Sequence, residues 1–274
     1  MTISGLLNIT ASGALYGGSG ILTTMNGDLT NSGILYTLGT TTFTGNVLQT
    51  LSLINAVQTV AVTVNFNGTV SPVLNSTSAP QYAFLNINNT GGVNASVGYT
   101  IQNALTVGVG ASFNGGGSSH TILGSLTNNG AISSEGTLNF TPATATTLNM
   151  GSNFTSTGRV VFGGTGAITL LGTPVSFYRV LVSNTNPAGV TASSAWNITN
   201  NFLVNAGATF NAGSFTHSIG GNIGNSGTIN SGTSTFVLNG AGNQDVSSAS
   251  AFNNLQINKT GGVASLTADL TVNG

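Results

Sequence analysis

A phrase recurs at equal intervals along the chain. Residues 27–36 read GDLTNSGILY, residues 124–133 GSLTNNGAIS and residues 221–230 GNIGNSGTIN. Their first glycines are Gly27, Gly124 and Gly221, so 124 − 27 = 97 and 221 − 124 = 97. The period extends beyond that phrase. At the same offset of 97, Phe43 falls on Phe140, Val93 on Val190, Phe113 on Phe210 and His120 on His217. Self-similarity at a fixed period is the mark of stacked repeats, each covering its neighbour's apolar face. The spacing divides the 274 residues into units of about 27–123, 124–220 and 221–274, read as one continuous solenoid over 1–274.

The third copy is shorter. Val263 stands where Val190 stood, and 263 − 190 = 73, which falls short of 97 by 24. A solenoid tolerates loss of a whole coil, because each coil touches only its neighbours. Ninety-seven is about four times 24, so the spacing predicts four 24-residue layers per unit. Within a layer the pattern is β. FLNINNTGG and NLQINKTGG alternate apolar and polar residues, and TSTFVLNG closes on Asn-Gly. Corners need residues that tolerate positive φ, which Asn and Gly do. No capped stripe of period 3.6 occurs. Short strands joined by corners predict an all-β, parallel β-helix with apolar columns inside and Asn, Ser and Thr ladders between layers. An antiparallel sandwich array is the rival, since Asn-Gly also closes hairpins.

Charge agrees with stacking. Three residues are Lys or Arg and four are Asp or Glu, 3% of the chain, for a net charge of −1. Identical positions in a parallel stack lie about 4.8 Å apart. A charge repeated in register would repel itself, whereas Asn, Ser and Thr bond to their own copies. With 39% hydrophobic residues the chain is expected to fold. A neutral surface has no field to recruit nucleic acid or anionic lipid. No apolar run approaches the ~18 residues of a spanning helix, and the 7% aromatic content argues against a transmembrane barrel with aromatic girdles. The start, MTISGLLNITASGALYG, lacks a basic n-region and does not read as a signal peptide. LLNIT near the start and DLTVNG at the finish resemble ALTVG at 104–108, so the chain starts and stops at about the same phase, without polar caps. End-to-end stacking or continuation in a longer chain is therefore expected.

The stretches GNIGNSGTINSGTSTFVLNGAGNQDV and FNNLQINKTGGVASLTADLTVNG resemble the low-charge repeats of bacterial haemagglutinin-like and autotransporter-like surface proteins. The resemblance implies a right-handed parallel β-helix, secretion and display at the cell surface. It carries no catalytic residues across.

Chemistry is sparse. The acids Asp28, Glu135, Asp245 and Asp269 share no local motif, although Asp245 and Asp269 (269 − 245 = 24) could lie one coil apart. Arg159, Arg179 and Lys259 read as equally dispersed. A metal site needs its ligands together, whereas His120 and His217 are a whole repeat apart and read as outward polar positions or corner hydrogen bonds. The Gly-rich pieces at 17–20, 114–117 and 163–166 lack the Lys of a phosphate-binding loop. With no cysteine, disulfides and thiolate metal sites are impossible. Asn-x-Ser/Thr sequons such as Asn8, Asn67 and Asn153 are expected by chance in such a composition. No cofactor, metal or catalytic residue is expected.

The leading expectation is a non-catalytic structural or adhesive component of an extracellular stalk, fibre or filament. The alternative is a carbohydrate- or surface-binding β-helix module, with Tyr82, Tyr178 and Trp196 as the aromatic candidates, although core or corner packing is the first expectation for each. Ice binding would need a flat Thr ladder; TLGTTTFTG at 37–45 is Thr-rich, but its repeat mate SSEGTLNFT is not. A glycan lyase would need clustered acids.

Overall fold

The computed structural model describes residues 1–18, 20–32, 34–37, 39–53, 63–77 and 79–274. The glycine-rich corner at 17–20 includes Ser19, and the Thr-rich run at 37–45 includes Leu38, both outside the described residues. All regular structure among the described residues is strand, and the strands pair in parallel, as Thr2–Ile3 does with Leu22–Met25 and Gln244–Ser248 with Ala264–Leu266. The chain is a parallel β-solenoid. It divides into two compact units, Met1–Gly136 and Thr137–Gly274.

In the first unit one inward ladder runs Ile3–Met25–Phe43–Phe66–Ile87–Val107–Asn128, each residue opposite the next. From Met25 onward all six are buried. Its outward companion is Thr2–Thr24–Thr42–Asn65–Asn86–Thr106–Thr127. Period-two alternation therefore sorts the two columns: methyl and ring surface stacks inside, hydroxyl and amide groups outside. The second unit repeats the logic in Leu138–Val160–Val180–Phe202–Ile223–Val246–Leu266, buried up to Val246.

These registers correct the expected 24-residue layer. Residue numbers along the Met25 ladder rise in steps of 18, 23, 21, 20 and 21. Thr23 and Leu126 lie five steps apart on one ladder, so the mean step is (126 − 23)/5 ≈ 20.6. A 97-residue unit then spans 97/20.6 ≈ 4.7 turns rather than four. In a three-faced coil that is close to four and two-thirds turns, and each repeat must land on a different face. The first unit shows this. Leu29 belongs to the ladder Leu7–Leu29–Leu51–Leu74. Its sequence equivalent Leu126 belongs instead to Val64–Leu85–Leu105–Leu126. The faces are chemically interchangeable, so one corner phrase serves any of them.

The corner before the repeated Val shows why glycine is needed there. Gly92, Gly189 and Gly262 have φ of 84°, 64° and 66°. A Cβ on Gly189 would also run into the Thr209 carbonyl of the next coil. Left-handed backbone and close approach together exclude other residues.

Candidate functional site

Tyr82 and Trp196, candidates only on the surface-binding alternative, take the core packing that is the first expectation for each, at 1% exposure. Tyr82 points inward on the strand Gln81–Ile87, opposite Ile101, which is opposite Ile122. Burial pushes its hydroxyl pKa up. Trp196 opens the strand Trp196–Ile198, whose apolar–polar–apolar alternation turns the indole inward. Its ring centroid lies 4.7 Å from that of Phe210, 5.3 Å from Phe177 and 5.5 Å from Phe162. Neither ring can meet a ligand. Of the three candidates, only Tyr178 is partly exposed, at the corner between Val175–Phe177 and Arg179–Val182. The Arg179 guanidinium lies 5.2 Å from its ring centroid.

The histidines do not face outward: His120 is fully buried and His217 is 1% exposed. Each forms hydrogen bonds at an internal corner. The Tyr99 N–H donates to His120 Nδ1 at 3.0 Å, and the Trp196 N–H donates to His217 Nδ1 at 3.2 Å. Nδ1 is therefore the acceptor, and the proton sits on Nε2. Nε2 of His120 donates to the Gly115 carbonyl and that of His217 to the Ala212 carbonyl, both at 2.9 Å. Burial lowers both pKa values, with the carbonyl bonds acting in the opposite sense. Both rings are buried, with both nitrogens engaged, so they brace corners.

Other buried polar groups do the same work. Asn184 Nδ2 donates to the carbonyls of Gly163 and Gly166, both at 2.7 Å, while its Oδ1 accepts the Asn186 N–H at 3.0 Å. Asn89 makes the matching set with Asn67, Val70 and Gly91. In the last copy Lys259 stands before Val263 as Asn89 stands before Val93, and its Nζ donates to the carbonyls of Gly240 and Gly242, both at 2.8 Å. The lysine ammonium makes the two carbonyl bonds of the asparagine amide and also donates to Gln244 Oε1 at 2.7 Å, but it cannot accept the backbone N–H that the asparagine oxygen takes. Gln49 and Gln244 close another corner type, each accepting one backbone N–H and donating to two carbonyls.

The acids are dispersed. Asp28 Oδ1 accepts the Thr50 N–H at 2.8 Å, a corner bond. Asp245 is opposite Ser265, so the expected adjacency with Asp269 is not formed. Among the described residues no three His, Cys, Asp or Glu side chains gather as a metal site. The arginines are not dispersed. Arg159 and Arg179 are register partners on adjacent rungs, and both are exposed. Their spacing, 179 − 159 = 20, equals one coil, a signal that a 24-residue layer conceals.

Outside, amides and hydroxyls join rung to rung. Asn86 Nδ2 donates to Asn65 Oδ1 at 2.9 Å, and Asn65 Nδ2 to Thr42 Oγ1 at 3.1 Å. A second line joins Ser71, Asn94, Asn114 and Ser133. In the other unit Asn230 donates to Asn211 at 2.8 Å, and Asn211 to Thr191 at 3.1 Å. Comparison of the chain with protein-family models, curated proteins and solved structures finds no match.

Proposed function

We propose that the chain is a non-catalytic structural and adhesive component of an extracellular surface protein: a length of stalk, fibre or filament of the haemagglutinin-like and autotransporter-like kind. One observation carries the reading. The polar wall is committed to bonds running from coil to coil, through Thr42–Asn65–Asn86, Ser71–Asn94–Asn114–Ser133 and Thr191–Asn211–Asn230. Together with the backbone ladders, these bonds resist extension along the coil axis, which is the demand on a stalk. A near-neutral polar wall also suits a protein held outside the cell.

End-to-end association of copies belongs to this reading, since open strand edges pair with further strands. Electron microscopy of the purified chain over a concentration series tests the reading. Rods or filaments, lengthening with concentration where copies stack, are expected. Compact particles without an elongated axis at any concentration would overturn it.

A further inference from the structure

Two of the three cationic side chains in the molecule, Arg159 and Arg179, stand opposite each other on adjacent parallel rungs. Parallel rungs lie about 4.8 Å apart, and like charges placed opposite each other repel. No ion pair joins either guanidinium to a carboxylate among the described residues. Following the register from Arg179 through positions 201 and 222 reaches Asp245 three rungs on, about 14 Å away. The repulsion is therefore left standing on a wall that otherwise avoids charge.

Polar and aromatic side chains flank the pair. Tyr178 turns the corner beside the pair, its ring under the Arg179 guanidinium. The Tyr178 N–H donates to Ser156 Oγ at 3.4 Å, tying that corner to the rung of Arg159. On the adjoining face an open groove of about 130 Å³ is lined by Thr155, Ser156, Ser176 and Thr199 over a floor of Phe154 and Phe177. Hydroxyls, an aromatic edge and two forked cations thus lie along three consecutive rungs.

We propose that this corner is a binding site for an acidic saccharide, one whose sugar carries a carboxylate or sulfate. Arg159 and Arg179 take the anionic group by paired N–H···O bonds, for which the planar guanidinium is suited. Tyr178 packs against the sugar ring, and the groove hydroxyls meet its hydroxyls. The assignment goes beyond the stalk reading and does not need it, since the corner lies wholly within the second unit of one copy.

The test is calorimetric titration of the whole chain with three oligomers of matched length: an oligogalacturonate, a sulfated dextran and neutral dextran. Binding of one or both charged oligomers, weakening with salt, and none of neutral dextran is expected; the two charged arms separate carboxylate from sulfate. Arg159→Gln and Arg179→Gln should each weaken binding about tenfold, the scale of one charge-assisted hydrogen bond. Both substitutions lie at exposed positions, and far-UV circular dichroism should be unchanged. Tyr178→Ala should weaken the oligomer but not inorganic sulfate. Equal binding of charged and neutral oligomers, variants that bind like the parent, sulfate binding as tightly as the oligomers, or a preference for anionic lipid vesicles would each overturn the proposal.

Discussion

Replacing Trp196 with alanine is the sharpest probe of the packed interior. The indole is 1% exposed and packs on rings from three other strands of the second unit, with centroids of Phe210, Phe177 and Phe162 at 4.7, 5.3 and 5.5 Å. A buried Trp side chain hides roughly 200 Å², which at about 25 cal/mol per Å² is about 5 kcal/mol of transfer free energy. Alanine retains a small part of this, and the cavity left among stiffly laddered rings cannot collapse. Trp196→Ala should cost about 4 kcal/mol, within the range for such truncations. Trp196→Phe should cost much less, about 1 kcal/mol. It keeps the ring contacts and removes an indole N–H that has no hydrogen-bond partner among the described residues. Urea unfolding followed by far-UV circular dichroism measures both, and acrylamide quenching of the sole Trp in the parent checks burial. A loss below about 1 kcal/mol for Trp196→Ala, far under the usual cost of such a truncation, or free quenching, would refute the inward placement.

Three further outcomes follow from the corners and the coil length. Asn184→Ala strands two carbonyls and one N–H and should cost about 2–3 kcal/mol; Asn184→Asp should cost more at pH 7, because a carboxylate then faces both carbonyls, and should recover partly near pH 4 as it protonates. Urea midpoints at the two pH values decide this. Both histidines have folded-state pKa values lowered from 6.5. The unfolded chain therefore takes up protons first, so stability is full above about pH 6.5 and declines as pH falls towards the folded values; urea midpoints rising between pH 7 and pH 5 would contradict it. Excising residues 202–222, one whole coil, sets Ile223 in the ladder place of Phe202 and should preserve strand content and a cooperative melt. Excising residues 202–212 breaks the register and should leave an aggregating chain.

Much of this is legible from the spacing of residues. The 97-residue period, the alternation in Gln81–Ile87 and the Asn-Gly corners point to stacked parallel coils with amide ladders, and both are present. The coil length is not legible. The deletion in the third copy suggests a 24-residue layer, whereas corners of unequal length give steps of 18 to 23. That difference conceals the Arg159–Arg179 pair and suggests an Asp245–Asp269 adjacency that does not form. The surface alternative fails for Tyr82 and Trp196, though not for the partly exposed Tyr178. Trp196 precedes Asn197 and Ile198, so strand parity alone turns it inward, but parity is readable only once the strand's start is known. Of the two readings of the histidines, the outward position fails and the corner hydrogen bond holds, because turning a tight corner requires donors and acceptors inside it.

The parallel register itself is best tested by cross-linking, which the absence of native cysteine makes clean. Thr147 is opposite Thr169, one coil on, and Leu171 lies two positions farther along the same strand. All three face outward. Cysteines at 147 and 169 would have Cα atoms about 5 Å apart, within disulfide range, while those at 147 and 171 would be about 7–8 Å apart, beyond it. Under mild oxidation the pair Thr147→Cys with Thr169→Cys should close rapidly and the pair Thr147→Cys with Leu171→Cys should stay open. Closure of the 147–171 pair in preference would restore the 24-residue coil, and closure of neither would contradict parallel stacking of these rungs.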